Sequence, residues 1–132
     1  QITLPITVEE LIVFGLYRSF GWLKVPKKRD YVRVAQALEE FGLKAYQKAR
    51  FNTLSGGLKQ RVMLVRAILQ APELYIFDEP TSNLDSLNEA AFLSIVKEEC
   101  QGMIFMISHR PSTVAFVDEI YELDASQLKR LQ

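Results

Sequence analysis

From Gln1 to about Thr53 the apolar residues recur at helical spacing. Thr7 and Glu10 stand three apart, as in a capping box, and Leu11, Ile12, Phe14 and Leu16 follow as apolar material, which predicts a first helix. KVPKKR, Lys24 to Arg29, interrupts the pattern with a proline and four basic residues and is expected to be an exposed loop. Asp30 is the expected cap of a second helix, in which Tyr31, Val34, Leu38 and Phe41 share a face and Gly42 ends the run. After Asn52 the rhythm changes. Leu58, Val62, Val65 and Leu69 mark one face of a helix that stops before Pro72. LYIF, Leu74 to Phe77, is a short unbroken apolar run, as expected of a parallel strand covered on both faces. Ser86 and Glu89 form another capping-box pair, opening a helix to about Cys100. MIFMI, Met103 to Ile107, is a second apolar strand, and Ile120 to Leu123 alternates like a half-exposed third. Strands separated by helices predict an α/β fold with a parallel sheet, preceded by an all-helical subdomain. The expected division is 1–53 helical and 54–132 sheet-bearing, with no internal repeat.

Composition narrows the class. With 132 residues and 48% hydrophobic content, the chain has the size and composition of one globular domain with a core. Sixteen basic and sixteen acidic side chains leave a formal net charge of zero, so nucleic acid is not an expected partner. Cys100 is the only cysteine, which excludes an internal disulfide and fits a reducing cytosol. No apolar run approaches the roughly 18 residues that span a bilayer, and no signal-peptide pattern is present, so work at a membrane is expected from its surface.

The candidate chemistry lies at helix and strand ends. Ser55, Gly56 and Gly57 directly precede a helix-forming run, a place suited to a bound anion because helix N-termini present unpaired N–H groups. Ser55 can equally act as a plain helix cap, worth about 1 kcal/mol. Asp78 and Glu79 follow LYIF, while Ser108 and His109 follow MIFMI; ligands of open parallel sheets gather at such carboxyl ends. Taken singly, Asp-Glu-Pro reads as a polar turn and His109 as a structural histidine. Their joint order favours a site.

LSGGLKQR (Leu54 to Arg61), LYIFDEP (Leu74 to Pro80), SNLD (Ser82 to Asp85) and ISHR (Ile107 to Arg110) resemble, in order, the signature, Walker B, D-loop and H-loop of the ABC-type ATPases. The resemblance extends over nearly the whole chain and implies a partial P-loop NTPase core behind the family's helical subdomain. By this likeness Ser55, Gly56 and Gly57 contact the γ-phosphate of an ATP held mainly by a second nucleotide-binding domain, with a homodimer expected. Asp78 holds Mg²⁺, usually through water. Glu79 is the general base, and His109 reaches the γ-phosphate. Asp85 lies at the dimer interface or, on an equal reading, caps the helix beside Ser86. Leu58 departs from the family's usual glutamine, so weaker contacts near the ribose are expected.

No G-x-x-x-x-G-K-[ST] occurs in the sequence. The likeness puts the P-loop and an adenine-stacking aromatic upstream of Gln1, and leaves open whether Gln1 is the Q-loop glutamine. The polypeptide alone is therefore expected to hydrolyse no ATP, and strands short of a neighbour are expected to promote self-association. PITVEELIVFGLY (Pro5 to Tyr17), GWL (Gly21 to Leu23) and PKKRD (Pro26 to Asp30) look like importers of metal ions or iron chelates, whereas ISHRPSTV and DEIYELD are also exporter-like. The importer reading implies a transmembrane permease subunit as partner and a peripheral position on the cytoplasmic face of the cell membrane. Phe14, Tyr17, Phe20 and Trp22 then either receive a coupling helix or fill the small helical core. The alternatives are an exporter-type domain, a soluble ABC ATPase acting on DNA or ribosomes, and a non-catalytic binding fragment.

Overall fold

The computed structural model describes residues 5–16, 25–124 and 127–131. Helix α1, Val8–Gly15, starts at the expected capping box: Thr7 Oγ1 accepts the Glu10 N–H, and Glu10 Oε2 accepts the Thr7 N–H at 2.8 Å. Helix α2, Lys28–Glu40, begins earlier than expected. Asp30 is not its cap but sits in the first turn, where its carboxylate reaches back to the Lys27 N–H at 2.7 Å. A first-turn acid satisfies the same orphan donor that an N-cap would. Lys28 and Arg29 are consequently helical, and of the expected loop only Val25 to Lys27 has that character; Lys24 lies outside the described residues. The stop is as expected. Gly42 has φ 67°, its N–H reaches Glu39 O, and the Leu43 N–H reaches Leu38 O, the double closure of a Schellman motif.

Helix α3, Gly56–Gln70, ends in a left-handed Ala71 just before Pro72. Strand β1, Leu74–Asp78, pairs in parallel with β2, Met103–Ile107, from Leu74 opposite Met103 to Asp78 opposite Ile107. Helix α4, Ser86–Glu99, connects them, and the short α5, Pro111–Val114, follows β2. Gly102 is required at the entry to β2, because a Cβ there would lie 2.6 Å from Pro72 O and 2.7 Å from Glu73 O.

Two apolar clusters hold these elements. Val8, Ile12 and Val13 of α1, Val34 and Leu38 of α2, and Val62 and Val65 of α3 form the first. Leu64 of α3, Tyr75, Phe92, Leu93 and Val96 form the second, beneath the sheet. Helix α3 contributes to both and is the mechanical link between the helical and sheet-bearing parts. No described helix is long and apolar enough to cross a membrane.

Two further expectations differ from the structure. The β1–β2 sheet is covered on one face only. Tyr75, Phe77, Ile104 and Met106 turn toward α3 and α4, while Ile76 is 65% exposed and Met103 73% exposed on the other side. Successive strand side chains alternate in direction, and no described element overlies the second face. The third strand, β3 (Tyr121–Asp124), does not join this sheet. It pairs antiparallel with β4 (Gln127–Arg130) as a separate ribbon. Phe14 is half exposed on α1 rather than filling the helical core; Gln1, Tyr17, Phe20 and Trp22 lie outside the described residues.

Candidate functional site

The parallel register brings the two strand tips together. Because Asp78 stands opposite Ile107, Glu79 leaves β1 beside Ser108 and His109 as they leave β2, and the Glu79 N–H donates to Ile107 O at 2.9 Å. Glu79 has φ 45°, a left-handed conformation that costs a non-glycine residue roughly 1–2 kcal/mol. Such strain persists where the surroundings fix it, commonly at functional sites. The twist turns its carboxylate to His109: Nδ1 lies 2.7 Å from Glu79 Oε1. A carboxylate only accepts, so this contact puts a proton on Nδ1 and leaves Nε2 on a solvent-facing edge, the side chain being 77% exposed. Glu79 Oε2 is buried without a partner among the described residues. Asp78, the last residue of β1, is exposed beside this pair. No group of three or more acidic, histidine or cysteine side chains that would cage a metal occurs among the described residues. A cation at Asp78 would take its other ligands from water or from a bound anion.

At the start of α3, Ser55 is the N-cap, its Oγ accepting the Leu58 N–H at a long 3.4 Å. Ser55 and Gly56 are exposed, so the first-turn N–H groups face outward. A Cβ on Gly57 would come within 3.2 Å of Leu84 Cδ2, which ties this helix end to the turn after β1. Leu58 packs against the helical core, which accounts for an apolar residue at that position.

Asp85 caps α4. Its Oδ1 accepts the Asn88 N–H at 2.9 Å and its Oδ2 accepts Asn88 Nδ2 at 2.8 Å; the backbone bond first and the amide second hold its carboxyl below the ordinary range. The expected Ser86–Glu89 capping box is therefore absent. Glu89 turns inward instead, accepting from Arg110 Nη1 and from Ser112 Oγ, each at 2.6 Å. Arg110 Nη2 also donates to Leu84 O at 3.2 Å, and Arg61 Nη2 donates to Asn88 Oδ1 at 2.8 Å. Sequence reasoning missed Glu89, Arg110, Ser112, Arg61 and Asn88. The signal for Glu89 was hidden because Ser86, three residues earlier, offered it a plausible local partner.

A parallel β1–β2 sheet backed by helices and preceded by a helical part is the architecture of the ABC-type ATPase domain, a P-loop nucleoside-triphosphatase fold. The chain belongs to the ABC transporter family, whose model matches residues 5–82. It is 37% identical over 106 residues to a zinc transport system ATP-binding protein, TroB, of Treponema pallidum, covering 80% of this chain and 40% of the relative. It is 32% identical over 127 residues to the manganese transport system ATP-binding protein MntB of Listeria innocua, covering 94% and 53%. Among solved structures, an inward-facing ABC transporter described as of metal-chelate type aligns with TM-score 0.85 and 28% identity, covering 98% of this chain and 53% of that one. A dimeric bacterial ABC transporter cassette shares the fold at TM-score 0.79 and 22% identity, covering 99% and 60%. The chain thus spans about half the length of the curated relatives it matches.

Proposed function

We propose that this chain is part of the ATP-binding and hydrolysing subunit of an ABC importer, coupling hydrolysis to the uptake of a metal ion or iron chelate. The observation that carries this reading is the Glu79–His109 contact at the strand tips, where a general base and a phosphate-directed imidazole are required together. Glu79 Oε2 accepts the proton of the attacking water. His109, oriented by Oε1, donates Nε2–H to the γ-phosphate in the form that carries protons on both ring nitrogens, because phosphate oxygens only accept. Asp78 would hold Mg²⁺; one carboxylate with water and phosphate oxygens is that ion's usual donor set, and the exposed Asp78 fits it. Mg²⁺ when bound neutralises developing phosphate charge. Ser55, Gly56 and Gly57 contribute N–H groups and a hydroxyl to the ATP of a second nucleotide-binding domain, while Asp85 stands at the interface between the two.

The cargo class draws on the metal and chelate transport named for the relatives. A transmembrane permease is the partner, with the subunit peripheral on the cytoplasmic face of the membrane. The helical subdomain, 1–53, meets the permease, and 54–132 carries the signature and strand-tip chemistry. The 132-residue chain has no P-loop sequence, so by itself it hydrolyses no ATP. The test is phosphate release by the complete subunit with its permease. Glu79→Gln is expected to lower turnover by about 100-fold or more while ATP binding persists. Undiminished turnover in that variant would overturn the proposal.

A further inference from the structure

We propose that Arg110 and Glu89 are positioning residues that set His109 against Glu79 and lock the D-loop to the H-loop within one subunit. The inference rests on the nucleotide-hydrolysing reading of the strand tips. Arg110 directly follows His109, and its guanidinium makes two different attachments: Nη1 to Glu89 Oε2 at 2.6 Å and Nη2 to Leu84 O at 3.2 Å. The first fastens the H-loop to the opening turn of α4. The second fastens it to the D-loop backbone immediately before Asp85. Glu89 is 7% exposed and its other oxygen takes the Ser112 hydroxyl, so the carboxylate is held from both ends of the same turn. Ser108 completes the clamp: its Oγ accepts the Arg110 N–H at 3.2 Å and donates to buried Thr113 at 3.2 Å.

His109 itself is exposed, and its side chain is held by Glu79. A solvent-facing imidazole does not stay within hydrogen-bond reach of a carboxylate by packing. Its backbone must be fixed, and the residues on either side of it are the ones so fixed. The same brace extends to the signature helix, since Arg61 of α3 holds Asn88, which holds Asp85. A displacement of Leu84 is therefore felt at His109 through one guanidinium. Arg suits this place because its planar fork addresses a carboxylate and a carbonyl simultaneously, which a lysine ammonium cannot match in geometry.

His109 is the only histidine, so its ring nitrogens report directly in ¹⁵N-edited NMR of this chain. In the wild type the Nδ1-protonated tautomer is expected to dominate. Arg110→Ala and Glu89→Gln are expected to shift the ring signals toward those of a freely rotating imidazole, with Arg110→Lys intermediate. Val34→Ala, a change in the first apolar cluster, which contains none of the brace residues, is expected to lower the melting temperature without moving them. Should Arg110→Ala fail to fold, Ser112→Ala removes one bond to Glu89 and is expected to shift the signals in the same direction by less. Unchanged ring signals in a folded Arg110→Ala or Ser112→Ala chain would overturn the proposal. In the complete subunit, Arg110→Ala is expected to lower kcat by about 10- to 100-fold with KM nearly constant, the mark of lost positioning. Failure of the complete wild-type subunit with its permease to hydrolyse ATP would sink the functional reading yet leave the ring signals to decide the brace.

Discussion

Glu79 is the residue on which the proposed chemistry turns, and its backbone sets where its carboxylate lies. A left-handed φ directly after a strand swings the carboxylate sideways over the neighbouring strand tip, so that Oε1 meets His109 and Oε2 stays unpartnered. The sequence carried the identities and order of both residues, but no pattern in it reveals a left-handed glutamate. Asp85 was open between two readings, and the cap is present. Its depressed pKa makes the α4 start acid-sensitive: the cap's contribution is in place above the ordinary aspartate value and is lost as pH falls through the folded one. Thermal melts between about pH 5 and about pH 3 should therefore fall more for the wild type than for Asp85→Asn, which caps without titrating. Ser55→Ala tests the other helix start. It should cost about 1 kcal/mol or less of stability, given the long capping bond, and should also weaken nucleotide-driven pairing in the complete protein. Loss of stability alone would reduce Ser55 to a cap.

At the scale of elements, helix α3 shows what periodicity conveys and what it misses. Leu58, Val62, Val65 and Leu69 do lie toward the helical core, yet Leu64, Ala67 and Ile68 of the same helix pack into the sheet-bearing core. A helix with two apolar sides is read as having one when only the stronger stripe is followed. The strands were legible as apolar runs, but such a run does not say how many faces are covered in a given chain. Strand β4, QLKR, has little apolar signal and owes its place to backbone pairing with β3. The entry to β2 is the tightest backbone approach. Gly102→Ala would press a methyl against two carbonyls, with an expected loss of about 1–3 kcal/mol measured by chemical denaturation. Cys100, at the end of α4, is buried and its thiol is pushed up to about 11, chiefly by desolvation. A raised thiol pKa means the unfolded chain ionises first, so stability should decline as pH rises past the ordinary value near 9.0. Reaction with a thiol reagent at neutral pH should be slow until denaturant is added.

For the whole molecule, the open face of the β1–β2 sheet is the largest departure from what an isolated globular chain would choose. Leu74, Ile76, Met103, Phe105 and Ile107 all stand substantially exposed on it or along its edges. A contiguous apolar sheet surface invites association. The 132-residue chain is accordingly expected to sediment as oligomers at about 100 μM; a clean monomer would show that the face is tolerated in water. The start of α3, the turn before Asp85 and the strand tips are joined through Arg61, Asn88, Arg110 and Glu89. The account's central claim is that the strand tips of one subunit and the signature helix of another enclose a single ATP. A crystal structure of the complete Glu79→Gln subunit with ATP and Mg²⁺ tests it most directly. The account predicts His109 and the substituted side chain at the γ-phosphate, met from the opposite side by Ser55 to Gly57 of the second copy. A nucleotide bound with Ser55 to Gly57 facing solvent, or with His109 turned away from the phosphate, would contradict it.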